Sequence, residues 1–445
     1  MKMPLNVARA LIGAALLGLM AAAQAAIPIQ RWTQPSGAQV YLVESRAVPM
    51  VDVQIDFDAG GRRDPAAQPG LANLTAMMAG KGIQAKGSDP ALDENALSEA
   101  WADLGASFGG GTGGDRMSFS LRSLTRPELL GPAVRLAARE LAEPSFPEDV
   151  WRRERQRIAA AIDEANTRPA TVVNRTFNRA VYGDHPYGFE MTRESLDRIG
   201  VSDMRAFYEL TIRPCRAVVS VVGAVTRAET DALVTQLLSR LGGGACTPLP
   251  PVADVQPLKG PSLQRIPFAS AQAHVRMGQP GYRRDDPDFF PLLVGNYILG
   301  GGGFASRLSE EVRQKRGLSY SVFSYFLPGL HSGAFTVGLQ TRPDQADQAL
   351  AVVRNVVTRF VAEGPTAEEL KAAKDNLIGG FALRIDSNRK LLENVSNIAA
   401  YNLPLDYLDT WTAQIAKVTL ADVKAAMARK LQPERMATVL VGAKP

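Results

Sequence analysis

The chain has 445 residues, of which 46% are hydrophobic and 21% charged. That is enough apolar material for two or more cores, and it excludes a disordered chain or a small disulfide scaffold. The net charge of +5 is small for this length and the basic residues are scattered, so nucleic acid is not the expected partner. Three histidines and two cysteines also exclude any metal site rich in those ligands.

The N-terminus reads as an export signal. Lys2 and Arg9 precede the uncharged stretch Ala10–Ala23, which ends in the cleavage-like triplet Ala23-Gln24-Ala25. A spanning helix needs ~20 consecutive apolar residues, and this run is shorter. Removal of residues 1–25 is expected, leaving an exported, periplasmic protein that is free of the membrane. No cysteine follows the cleavage site to take a lipid, and no second apolar run approaches spanning length.

Beyond that point the chain reads as a duplicated α+β protein, two homologous domains in tandem, each a sheet with helices packed on one side. Met50–Phe57 alternates as a strand, and the turn Ala59–Asp64 follows it. Asp203–Ala224 and Asp422–Ala443 match without a gap: helix, proline-containing turn, then a β-rich run ending in Val-Gly-Ala. A second match pairs Phe119 and Thr125-Arg126-Pro127 with Phe335 and Thr341-Arg342-Pro343, each leading into a helix, 128–141 and 345–362. The stretch from Gly242 to Pro261 is rich in glycine and proline and has no periodicity. It divides the chain into an N-terminal domain over 26–242, an extended linker over 243–261 and a C-terminal domain over 262–445.

Cys215 opens the apolar run Ala217–Gly223, and Cys246 follows a helical stretch, roughly 227–241. If that helix returns along the strand, the two thiols meet, and export permits a disulfide. Two separate buried thiols are the alternative. The histidines offer no second chemistry: His185 lies in Asp184-His-Pro-Tyr187, His274 in a strand, and His331 in a turn. None shares a ligand-spaced motif with another, so structural roles are expected. The glycine run Gly300–Gly303 lacks the G-K-[ST] ending of a phosphate cradle.

Gly70-Leu-Ala-Asn-Leu-Thr-Ala-Met-Met-Ala-Gly-Lys-Gly82 resembles a segment of the zinc peptidase family of insulinase, pitrilysin and the mitochondrial processing peptidases. Active members carry Gly-Leu-Ala-His-x-x-Glu-His-Met-x-x-Lys-Gly there. The two histidines bind zinc from one helical face and the glutamate is the general base. In this chain Asn73 stands at the first histidine position, Ala76 at the glutamate and Met77 at the second histidine, while the flanking residues survive. The family's third ligand, a later glutamate, falls at Glu154 by distance or at Arg152 by local pattern.

The second half keeps more. Arg313 and Tyr320 fit the family's R-x₆-Y spacing, and the neighbouring Ser306-Arg-Leu308 and Lys315-Arg-Gly-Leu318 resemble the family too. In family members that pair contacts substrate near the scissile bond, across a chamber from the zinc. On residue type alone, Arg313 could equally be one of several surface cations and Tyr320 a core strand residue. The resemblance covers the whole mature chain and implies a clam-shell half-chamber. The chain would then be a non-catalytic, peptide-binding subunit that carries no metal, paired with an H-x-x-E-H-bearing chain of similar length that holds the zinc. A peptidase-fold scaffold without catalytic duty is the alternative, and an autonomous metallopeptidase with unusual ligands a third.

Overall fold

Strands β1 (Gln30–Thr33), β2 (Gln39–Glu44) and β3 (Met50–Phe57) open the first half. Helix α1 (Leu71–Ala79), the short pair β4 (Gly82–Ile83) and β5 (Leu92–Asp93), and α2 (Glu94–Asp103) follow. After the hairpin β6 (Ser107–Thr112) and β7 (Met117–Leu124) come α3 (Pro127–Ala142), α4 (Glu148–Asn166), α5 (Pro169–Tyr182), α6 (Arg193–Asp197) and α7 (Val201–Thr211). Strand β8 (Val218–Gly223) and helix α8 (Arg227–Leu238) close it. This computed structural model describes residues 27–244 and 246–443, so the expected export signal, 1–25, lies outside the described residues.

Among the described residues of 242–261 there is no helix or strand. The second half then runs β9 (Ser262–Ile266), β10 (Ala273–Pro280), α9 (Phe289–Asn296), β11 (Val322–Phe326), β12 (Ala334–Thr341), α10 (Ala346–Glu363), α11 (Ala367–Gly379), α12 (Asn388–Ala400), α13 (Tyr407–Lys417), α14 (Leu420–Lys430) and β13 (Ala437–Val441). Among the described residues, no helix is long and apolar enough to cross a membrane.

The two sheets share one topology. The first is ordered β1-β2-β8-β3-β7-β6, the second β11-β12-β10-β13-β9. Read in the opposite direction, the second matches β2 through β6 strand for strand. In each, the first and last of the five strands in chain order pair in parallel, β2 with β8 and β9 with β13, while the other neighbours run antiparallel. The Val-Gly-Ala runs that match in sequence thus end equivalent central strands.

Each sheet is covered on both faces. Val51, Val53, Ile55 and Phe57 of β3 face the core of their own half. Tyr41, Val43 and Val222 instead join Leu391, Leu392, Val395 and Ile398 on α12, a helix of the other half. The second sheet receives α5 in return: Val173, Phe177 and Val181 pack on Val439 and Val441 of β13. Each half therefore carries helices of its own on one side, and a helix of the other half covers the second. Polar contacts fix this exchange. Asp56, buried on β3, accepts from Ser396 of α12 (2.7 Å), from Ser118 (2.5 Å) and from Arg116 (3.1 Å), while Arg116 also donates to Asn397 (2.8 Å). Cys215, just before β8, and Cys246, in the linker, form a disulfide with Cα atoms 6.1 Å apart.

One buried acid makes stability depend on pH. Glu140 on α3 accepts from Trp101 Nε1 at 2.8 Å. Burial pushes its carboxyl up to about 7, against the Trp101 donor that favours the ionised form. A folded-state value above the unfolded one means that this stabilisation is complete below ~4.5 and is lost as pH rises through about 7. Glu140→Gln keeps an acceptor for Trp101 and removes the titration. Its Tm relative to wild type is expected to climb between pH 5 and pH 8 in a melting series, whereas a constant offset would show that Glu140 does not titrate there.

Candidate functional site

Helix α1 forms at the expected place although its ligand side chains are gone. Gly70 caps it at φ 100°, a backbone region costly for other residues, and Met191 packs where a Cβ would stand. The Asp64 carboxylate accepts from the backbone N–H groups of Gly70 (2.7 Å) and Ala72 (2.8 Å), satisfying two donors at the helix start. Leu71, Ala72, Leu74, Met78 and Ala79 bury the opposite face in the first core. Packing and capping hold this helix.

Its other positions cannot bind zinc. Asn73 is exposed and donates weakly to Thr112 Oγ1 (3.3 Å), Ala76 is buried, and Met77 is half-buried. A neutral amide, a methyl group and a thioether supply neither imidazole nor an anionic donor for Zn²⁺, and Ala76 cannot take a proton. Of the two candidates for a third ligand, Arg152 is exposed, while Glu154 is buried and turns towards the end of α1. Its Oε1 lies 3.9 Å from Lys81 Nζ, and Oε2 accepts from Arg157 (2.8 Å). Burial works against the Glu154 carboxylate, but Arg157 and Lys81 outweigh it and hold the carboxyl below its ordinary range. Among the described residues, no group of three His, Cys, Asp or Glu side chains could hold a metal ion.

Asn73 instead lines a cleft of about 660 Å³ between the halves, with Arg62, Arg116, Tyr187, Leu327 and Tyr401. Beside it the fold joins residues that are remote in sequence. The rings of His185 and His331 lie 5.1 Å apart, and His331 Nδ1 sits 2.9 Å from Asp254 of the linker. Tyr187 donates to Asp115 (2.5 Å), which also accepts from Leu330 N (3.0 Å) and lies 3.4 Å from Arg62 Nε. Burial, with His331 nearby, holds the His185 imidazole below its usual value. The cluster ties both halves to the linker in a polar clasp. His274 lies apart from it, on β10.

Arg313 and Tyr320 lie on a different surface, where the structure does bring them together. The segment 297–314 is wound in two wide turns of i→i+5 type, Tyr297–Gly301 and Ser309–Gln314, a form common at functional sites. Leu308, Val312 and Leu318 anchor it in the second core. The glycine run serves packing: a Cβ on Gly300 would stand 2.5 Å from Ser324 N of β11. Tyr320 lies in the bend before β11 and is 80% exposed, so it is no core residue. The Arg313 guanidinium covers its ring, with Cζ 4.4 Å from the centroid.

Charge pairing singles out Arg313. Arg307 is committed to Glu369 through two 2.6 Å bonds. Lys315 reaches Glu310 (2.9 Å) and Glu311 (2.7 Å), and Arg316 takes the other oxygen of Glu311 (2.6 Å). Among the described residues Arg313 has no carboxylate partner. Its guanidinium and the Tyr320 hydroxyl are therefore available to a ligand. Among the described residues, no hydrogen bond, ion pair or ring contact links this pair to α1.

The family described as Insulinase (Peptidase family M16) matches residues 39–194, and the Peptidase M16 inactive domain matches 198–377. The crystal structure of a peptidase M16 inactive domain from Pseudomonas fluorescens aligns with a TM-score of 0.87 at 33% identity, covering 94% of this chain and 98% of that one. The periplasmic protease PqqL from Escherichia coli aligns at 0.79 and 18% identity, a likeness of fold alone, over 94% of this chain but 46% of that chain. An uncharacterized zinc protease of Streptomyces coelicolor is 29% identical over 65% of this chain, which spans 64% of that protein, just under two-thirds of its length. The non-peptidase homolog YmxG of Helicobacter pylori is 25% identical over 92% of each chain.

Proposed function

The chain belongs to the insulinase family, peptidase family M16, and on that premise we propose that it is the non-catalytic, substrate-binding subunit of an exported, two-chain zinc peptidase. One observation carries the reading. The positions that would hold zinc are Asn73, Ala76 and Met77, while Arg313 and Tyr320 remain paired, with Tyr320 exposed and Arg313 half-buried and without a carboxylate partner among the described residues. A second chain of similar length supplies H-x-x-E-H and the metal. This chain supplies half of the chamber wall, with Tyr320 donating a hydrogen bond to the oxyanion that develops on the attacked carbonyl and Arg313 holding peptide carbonyls.

Two further facts support it. This chain spans about half of the longer periplasmic protease whose fold it shares, so two such chains have the length of one. The Cys215–Cys246 disulfide suits the oxidising compartment to which an N-terminal export signal would send it. The direct experiment is mass spectrometry of what co-purifies with a tagged copy from its native cell envelope. A chain of similar length bearing H-x-x-E-H, in near-equal amount, is the expected result. Recovery alone, or with unrelated proteins only, would favour the scaffold reading.

A further inference from the structure

We propose that Phe304 is a positioning residue for Arg313, the third member of the site, fixing the guanidinium so that its N–H rim faces a bound peptide. This rests on the role given above to Arg313 and Tyr320. Two aromatic rings hold the one guanidinium: its Cζ lies 4.2 Å from the Phe304 centroid and 4.4 Å from that of Tyr320. Phe304 is 64% exposed and belongs to neither core, so folding does not explain a phenylalanine there. Its backbone is pinned from both sides. Gly303 turns the chain at φ 60°, the buried Ser306 hydroxyl donates to Gly303 O (2.7 Å), and Gln314 Nε2 donates to Phe304 O (2.9 Å). That last bond ties the ring's backbone to the segment that carries Arg313.

The neighbouring acids do not compete for this cation, because Lys315 and Arg316 occupy them. An arginine with free solvent around it samples many rotamers and loses that freedom on binding. Aromatic faces pay no hydrogen bond for holding a guanidinium, so its donors stay available while its plane is fixed. The ligand chemistry that matches is a peptide backbone in which carbonyl oxygens meet the N–H rim and an apolar side chain meets the exposed ring of Phe304.

Two readouts separate this proposal from the reading beneath it. In the isolated chain, with arginine labelled with ¹⁵N and the Arg313 Nε–Hε signal assigned through Arg313→Lys, Phe304→Ala is expected to move that signal towards the position of a free arginine. Phe304→Trp is expected to keep it displaced. In the co-purified complex, with a quenched fluorescent peptide library as probe, Phe304→Ala is expected to lower kcat/KM by roughly 3- to 10-fold, chiefly through KM, and Phe304→Trp to restore it. An Arg313 signal unmoved by Phe304→Ala overturns the proposal whatever the kinetics. A moved signal with unchanged kcat/KM, where Tyr320→Phe does lower kcat/KM, overturns it for Phe304 and leaves the Arg313–Tyr320 reading intact. If neither substitution changes kcat/KM, both fall.

Discussion

Replacing Tyr320 by Phe is expected to lower kcat of the proposed two-chain peptidase by about 10²–10³, the cost of losing one donor to a developing oxyanion. The substitution removes one hydroxyl and keeps the ring that Arg313 covers at 4.4 Å. Because the side chain is 80% exposed, neither folding nor recovery of the complex should change. KM should move little if the bond forms mainly in the transition state. Steady-state kinetics on the co-purified complex, with wild type and variant prepared side by side, decides the matter. Unchanged kcat would make Tyr320 a surface residue and remove the chief support for a catalytic partnership.

The second large effect falls on stability. Phe177→Ala is expected to cost about 3–5 kcal/mol, the usual range for removing a buried phenylalanine. Phe177 is 2% exposed and belongs to the helix that the first half lends to the second sheet. Its ring packs against Gly278 of β10, where an added Cβ would stand 3.0 Å from Phe177 Cζ and only 1.9 Å from Phe335 O. The loss should therefore be felt by both halves at once. Urea unfolding followed by tryptophan fluorescence, with Trp101 and Trp151 in the first half and Trp411 in the second, should shift as a single transition. A loss below about 1 kcal/mol, or a shift confined to one half, would show that the exchanged helix does not couple them.

Much of this was legible in the residues, and the rest was not, for identifiable reasons. Strand β3 shows the alternation of Val51, Val53, Ile55 and Phe57, and the paired Val-Gly-Ala endings mark β8 and β13 as equivalents. Both are local patterns, and local patterns report a segment's period and its repeat. The exchange of α5 and α12 is a contact between halves, and no period within one half carries it. A hint lay in β2, where Tyr41 and Val43 are apolar on the face opposite Val40 and Leu42. Such a strand is buried on both sides, so one layer of helices could not suffice.

The site divides in the same way. The loss of zinc ligands at Asn73, Ala76 and Met77 is a matter of residue identity and needed no coordinates. The freedom of Arg313 was half-visible, since Glu311 stands four residues before Lys315, a spacing that pairs the two on a helix. Phe304 leaves one signal in the sequence, a phenylalanine in a loop of small residues nine positions before Arg313. His185 and His331 meet only because the halves close on each other, and neither one's neighbours in sequence announce it.

The measurement that bears most directly on a split site is made by mixing. This chain and the proposed H-x-x-E-H-bearing partner, purified apart, are assayed for zinc content and for peptide hydrolysis alone and then together. Zinc bound to the partner only, with hydrolysis that appears on mixing and is lost with Tyr320→Phe in this chain, is the expected result. Full activity of the partner alone, or stoichiometric zinc and chelator-sensitive hydrolysis in this chain alone, would contradict it.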